Sequence, residues 1–293
     1  MSKDEKDKYE KISIDHEKMV ENFKRINLEN ELEARRKRLE VVSFVRSKMF
    51  DEIPKKDIFV IHSQIFVKIE ALEPQYVPAE LSVARFSLTD GIKQVKQWFL
   101  RPGNVPLGSK RACLENSRKS HKIPLDLLLV EDDTAVSEHA KYTEDGDILD
   151  ELMTILGGEN NLFTLPEFET QTTGVVQTLE KRTGRKLSSL NILSLPLLMF
   201  EIANKAPDSE AAQAEQHPHQ KFLPFESVAE RELDKEMFLF QPGMNCAWHE
   251  ETTETCHCCS AHVRSWTFTM LDVCCRRYHI PLMPGTHSPL SCL

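Results

Sequence analysis

Residues 3–52 contain no glycine or proline and are crowded with Lys, Glu and Arg, so the pattern predicts one long helical segment broken first at Pro54. Beyond it the pattern changes. Ile58–Phe59–Val60–Ile61 and Ile65–Phe66–Val67 are runs of β-branched and aromatic residues and read as strand. Further strands are predicted at Leu81–Phe86 and at Gln97–Leu100, the second closed by the turn at Pro102–Gly103. The corner Ser87–Leu88–Thr89–Asp90–Gly91 between them has the residues of a turn. Leu125–Val130 is a short apolar run.

After an acidic loop, Ile148–Leu156 shows helical spacing and stops at Gly157–Gly158. Leu162–Leu165 reads as a strand, Thr172–Lys181 as a helix, and Leu190–Asn204 as a mostly apolar helix with Pro196 near its start. Residues 205–220 are polar and rich in Pro, Ala and Gln, which predicts a flexible insertion with His217 and His219 as loop residues. The last helix is expected from about Ser260, with Val263, Trp266, Met270 and Val273 on one apolar face packed against the sheet. Cys274 and Cys275 fall deep in that helix as buried thiols. Strands first and helices later, with a crossover at 148–181, predict an α/β fold: a mixed sheet with helices on its faces. The chain thus divides into a helical segment, 1–52, and one domain, 53–293.

Charge narrows the function. The net charge is −9, yet residues 1–52 carry 13 Lys+Arg against 13 Asp+Glu, so the whole deficit lies downstream. A protein living by nonspecific duplex binding carries a basic surplus, so any nucleic-acid contact here is a local patch. One such patch is Lys93, Lys96, Arg101, Lys110, Arg111, Arg118, Lys119 and Lys122, set against the single acid Glu115. Trp98 and Phe99 lie within it, either as base-stacking platforms or as core residues of a strand. Arg35–Arg36–Lys37–Arg38 reads as a solvated helix face rather than a second patch. No apolar run of about eighteen residues exists, and no secretory signal opens the chain, so the thiols are expected in a reducing compartment.

There the stretch CAWHEETTETCHCC, Cys246–Cys259, points to a metal. Cys246 and His249 are spaced CxxH, and Cys256 and Cys259 are spaced CxxC; a tight turn lets two side chains three apart meet one ion. Catalytic metals are a different matter. A nuclease using two magnesium ions needs paired acids on its first strand, where this chain offers His62, Ser63 and Gln64. Asp57 and Glu70 stand only at the ends of that strand, and Glu131, Asp132, Asp133, Asp145 and Asp147 are expected in loops. Nucleophile elbow, phosphate-binding Gly loop and HExxH helix are all missing from the sequence.

Five segments in order, PAELSVARFSLTDG (Pro78–Gly91), FLRPGNVPLG (Phe99–Gly108), SHKIPL (Ser120–Leu125), CAWHEE (Cys246–Glu251) and PLMPGTHSPL (Pro281–Leu290), resemble the Maelstrom domain over roughly residues 55–293. DEKDKYEKI (Asp4–Ile12) resembles the closing helix of the HMG box that precedes this domain in the family, which makes 1–52 a box remnant and linker. The resemblance implies a ribonuclease H-like sheet related to DEDD exonucleases but without their acids. It also implies a structural zinc held by Glu80, Cys246, His249 and a second cysteine directly before the last helix. Counting back from Val263–Arg264 favours Cys258 for that cysteine, CxxC spacing favours Cys259, and Cys256 competes too. His121 matches a family histidine, whereas Gln97 replaces another.

For function, the resemblance implies germline silencing of transposons by Piwi-interacting RNA, with Piwi-pathway proteins as partners and residence in perinuclear cytoplasmic granules and the nucleus. It further implies single-stranded RNA binding and a weak single-strand RNA endonuclease activity with no assigned residues. The other class of function open to the sequence is a protein-interaction scaffold.

Overall fold

The computed structural model describes residues 3–70, 74–125, 142–187, 190–205, 222–252 and 255–290. Helix α1, Lys3–Arg46, is the long element expected. Its last turns bury Val41 and Val45 in the main core beside Ile53, while Met19, Phe23 and Leu32 stay exposed further up. The basic run behaves as a solvated face: Arg36 bonds Glu33 and Glu40 along its own helix. Lys37 and Arg38 reach Glu169 and Glu226, both at 2.5 Å, and tie α1 to the body.

Three long strands follow, β1 (Ile58–Ile69), β2 (Gln75–Ser87) and β3 (Gly91–Leu100), in an antiparallel meander. After helix α2 (Lys110–Lys119) comes the two-residue strand β4 (Tyr142–Thr143), parallel to β3. Helix α3 (Asp145–Leu156) leads to β5 (Asn161–Thr164), and helix α4 (Pro166–Thr183) leads to β6 (Asn191–Ser194). The six strands lie in the order β4-β3-β2-β1-β5-β6, with β5 parallel to β1 and to β6. Helices α5 (Leu195–Ala203), α6 (Glu226–Asp234), α7 (Ala247–Thr252) and α8 (Cys259–Arg277) follow, and short 3-10 turns lie at Ile53–Lys55 and Thr255–His257.

The pleat sorts β1 and β2 into two cores. Ile58, Val60, Ala84 and Phe86 join α5 and α8 on one face. Phe59, Ile61, Leu81 and Val83 join α3 and α4 on the other. Covered on both faces, these strands read as continuous apolar runs rather than alternating ones. Helix α8 is buried all round, with Val263, Trp266 and Met270 inside, Val273 half-buried, and Cys274 and Cys275 inaccessible as expected. Its polar Thr267 and Thr269 bond back to the carbonyls of Val263 and Ser265.

Several expectations need correction. The first strand, which joins the runs at Ile58 and Ile65 as expected, carries an unforeseen bulge after Gln64. The helix expected over 190–204 begins only at Leu195, because Asn191–Ser194 is strand β6, paired along its whole length with β5. A buried parallel strand and a buried helix carry the same apolar run, so periodicity cannot part them. Ser194 caps the helix, accepting from the Leu197 amide, and Pro196 sits in the first turn where its missing N–H costs nothing. Asp145 and Asp147 are not loop acids but stand in the first turn of α3, on the favourable side of its dipole. Trp98 and Phe99 are core residues, 2% and 3% exposed, and the Trp98 indole donates to Glu151. Neither ring has a face free for a base. Helices α2, α6 and α7 and strand β4 were not foreseen. Most of the 125–130 run, the 205–220 insertion with His217 and His219, and the acids at 131–133 lie outside the described residues.

Candidate metal centre

Glu80 occupies the middle of β2, opposite Gln64 on β1 and Phe99 on β3, so neighbouring strands bury it completely. One carboxylate oxygen, Oε2, accepts the backbone N–H of Cys259, at 3.2 Å, in the first turn of α8. The other, Oε1, is buried without a hydrogen-bond partner. It faces His249 Nδ1 at 3.9 Å.

His249 sits on α7, one turn from Cys246, and the Glu250 amide closes that turn by donating to the Cys246 carbonyl at 3.0 Å. The three-residue spacing then sets Cys246 Sγ 3.1 Å from His249 Nδ1. Cys258 is the residue before α8, and its sulfur accepts the Cys246 amide at 3.2 Å. Donor atoms of Glu80, Cys246, His249 and Cys258 thus all fall within 4.8 Å of one another.

His249 Nε2 lies 2.9 Å from the His121 carbonyl oxygen, so Nε2–H donates there and Nδ1 is left as the lone-pair nitrogen facing the other three donors. His121, which matches a family histidine, meets the cluster through its backbone oxygen and not its ring. The buried ring accepts the Ile123 amide, and burial, then His249, hold its pKa down to about 3.

The electrostatics of the cluster follow from its burial. Burial first, then the neighbouring Cys258, lift the Glu80 pKa to about 8. Burial pushes the Cys258 thiol upward as well. Burial alone would depress His249, but Cys258 and Glu80 beside it carry its pKa to about 9. Glu80, Cys258 and His249 are thus held toward their protonated forms, a bias that a cation bound among them would reverse. The orphaned Glu80 Oε1, the aimed Nδ1 and two thiols fit a divalent ion of intermediate softness. Of the three cysteines that the sequence left in competition, only Cys258 joins the group. Cys256 is exposed, and Cys259 turns its sulfur to the Glu80 carbonyl at 3.8 Å.

Residues 70–292 match the Maelstrom family, described as "piRNA pathway germ-plasm component". The chain belongs to the Maelstrom family. Among curated relatives, "Protein maelstrom" of Drosophila erecta is 27% identical over 221 residues, covering 73% of this chain and 44% of that protein. "Protein maelstrom 1" of Drosophila persimilis is 25% identical over 272 residues, covering 89% of this chain and 57% of that protein. "Protein maelstrom" of Drosophila melanogaster is 25% identical over 221 residues, with 73% and 45% covered. The chain spans about half the length of these Maelstrom proteins.

In this Maelstrom domain the basic stretch is split between ion-paired cations on or beside β3 and cations on or just after helix α2. Lys93 pairs with Asp57 and Asp90 at 2.7 and 2.9 Å, Lys96 with Glu151 at 2.8 Å, and Arg101 with Glu144 at 2.5 Å. These three cations already have carboxylate partners. Helix α2 carries Lys110, Arg111, Arg118 and Lys119, with Arg111 meeting Glu115 at 2.8 Å while 90% exposed, and Lys122 follows the helix with its ammonium on the Arg118 carbonyl. Asn116 anchors this helix by donating to the Ile65 carbonyl on β1, and Cys113 packs beneath it with Phe66 and Phe99. Among the described residues, no helix is long and apolar enough to cross a membrane.

Proposed function

We propose that this chain is a silencing factor of the Piwi-interacting-RNA pathway that binds single-stranded RNA on a ribonuclease H-like domain without nuclease acids. Family membership supports the pathway and a germline setting. In the same reading the chain works with Piwi-pathway proteins in cytoplasmic granules and the nucleus. The sheet supports the fold reading. An antiparallel β1-β2-β3 meander followed by two parallel strands on the far side of β1 is what this reading expects of a ribonuclease H-like sheet. In the middle of β1, where a two-metal nuclease keeps its first acids, stand His62, Ser63 and Gln64. Ser63 bonds Thr172 within the fold, and His62 is sealed between Phe168, His262 and Trp266.

The metal in this reading is zinc with four protein ligands, Glu80, Cys246, His249 and Cys258. A fourfold protein shell leaves no position for water, so its part is structural. The observation that carries the RNA reading is the exposed face of α2, where Lys110, Arg111, Arg118 and Lys119 gather against one acid. The knuckle is a poor alternative, since Glu250 and Glu251 flank His249 and repel phosphate.

The deciding experiment measures zinc content and single-stranded RNA affinity on one purified sample across a salt series. One zinc per chain and a steep loss of affinity with salt support the reading. Zinc-free, folded protein, or no RNA binding at low salt, overturns the corresponding half and leaves a protein scaffold.

A further inference from the structure

A groove of about 310 Å³ opens between β3, the 242–244 loop, helix α8 and the C-terminal strap at 285–290. The strap is pinned in place. The Ile92 amide donates to the Thr286 carbonyl at 2.8 Å, and the buried His287 ring donates to the Leu88 carbonyl at 3.0 Å. Ile92, Val95, Met244, Phe268 and Leu290 supply apolar walls, and Leu290 at the rim is 72% exposed.

Two cations, Lys93 and Arg264, line the groove, and no carboxylate does. Lys93 is already held by Asp57 and Asp90. Arg264 differs. One terminal nitrogen donates to the Gly243 carbonyl at 2.5 Å, its Nε is buried without a hydrogen-bond partner, and no carboxylate among the described residues pairs with it. A half-buried guanidinium without a carboxylate is an incomplete pair, since Arg presents a fork suited to two parallel hydrogen bonds.

We propose that this groove docks a short peptide of a protein partner, one apolar side chain entering between Val95, Phe268 and Leu290 and an adjacent Asp or Glu closing on Arg264. The volume matches one or two aliphatic side chains, at the small end of binding pockets. RNA suits it less. The one aromatic lining the groove, Phe268, is 5% exposed and packs against Phe238, so no stacking platform is offered. A single guanidinium without a carboxylate partner answers one carboxylate better than a run of phosphates. The site shares no residue with α2, so it is independent of the proposed RNA contact.

The test selects binders from a random heptapeptide library on the zinc-loaded chain. Enrichment of Asp or Glu within two positions of Leu, Ile, Met or Phe is expected, with a selected peptide losing at least tenfold in affinity to Arg264→Met. Arg264 also lies near the metal centre, so a second variant, Leu290→Glu, places a repelling charge on the exposed rim without touching it. The same tenfold loss is expected there, with zinc content and melting unchanged. Selection without acidic residues, or equal binding by Leu290→Glu, overturns the proposal and leaves Arg264 as a counter-charge to the metal centre. Displacement of the peptide by octauridylate overturns it in favour of RNA.

Discussion

The backbone N–H of Cys259 donates to the Glu80 carboxylate at 3.2 Å across 179 positions of sequence. The bond joins the middle of β2 to the N-terminus of α8, where unpaired amides and the helix dipole favour an anion. It holds one oxygen of Glu80 in place and turns the other toward Cys246, His249 and Cys258. The sheet and the last helix therefore meet at the candidate metal centre, so loss of an ion bound there should loosen both.

Cys246→Ser is expected to lower bound zinc and thermal stability together. A loss on the order of 4 kcal/mol corresponds to about 10 °C in melting midpoint for a domain of this size. Glu80→Gln keeps the shape and removes the anion, so its effect should be smaller in stability than in zinc affinity. Metal analysis beside calorimetry checks both, and a zinc-free variant of undiminished stability would defeat the structural assignment.

His62 sets a pH dependence. Both its ring nitrogens are buried without partners, and burial, then the neighbouring His262, hold its pKa well below the ordinary 6.5. The unfolded chain therefore binds the proton that the folded chain refuses. This contribution to stability is intact above about pH 6.5 and is lost as pH falls below it, by up to ~1.4 kcal/mol per unit. His62→Leu should flatten denaturation midpoints measured between about pH 6.5 and 5. An unchanged slope would mean that His62 is protonated in the fold.

Charge reversal at Lys110, Arg111 and Arg118 should weaken single-stranded RNA binding for all sequences alike. Each lost phosphate contact should remove roughly 0.7 from the slope of log affinity against log salt. All three lie on α2, and Arg111 is almost wholly exposed, so melting should hardly move. A folded triple variant binding as tightly as the parent would clear α2 of the role.

Trp98→Phe separates packing from stacking. It removes the hydrogen bond from the indole to Glu151 and should cost about 1 kcal/mol in stability with RNA affinity unchanged. A selective loss of RNA binding in the stable variant would restore Trp98 as a stacking residue.

Magnesium should not support shortening of end-labelled RNA from its 3′ end, given His62, Ser63 and Gln64 at the centre of β1. Chelator-sensitive, processive shortening on a sequencing gel would show acids elsewhere that complete a two-metal site.

The sequence by itself determined the strands β1 to β3, the long first helix, the last helix and two of the candidate metal donors, Cys246 and His249. Those features are local: β-branched runs, the absence of Gly and Pro over 3–52, and a three-residue spacing that one turn of α7 converts into adjacency. Family motifs added Glu80, which no spacing could have tied to Cys246. Only the tertiary structure decided among Cys256, Cys258 and Cys259, because the choice depends on where α8 meets β2. Only it made Asn191–Ser194 a strand, since a buried apolar run takes whichever hydrogen bonds its neighbours offer, and β5 offered a parallel edge. It also parted the basic stretch, setting Lys93, Lys96 and Arg101 against Asp57, Glu151 and Glu144, which come from distant positions in the chain. Charge counts along a sequence do not see such partners, because ion pairing is settled by distances that only the folded chain has.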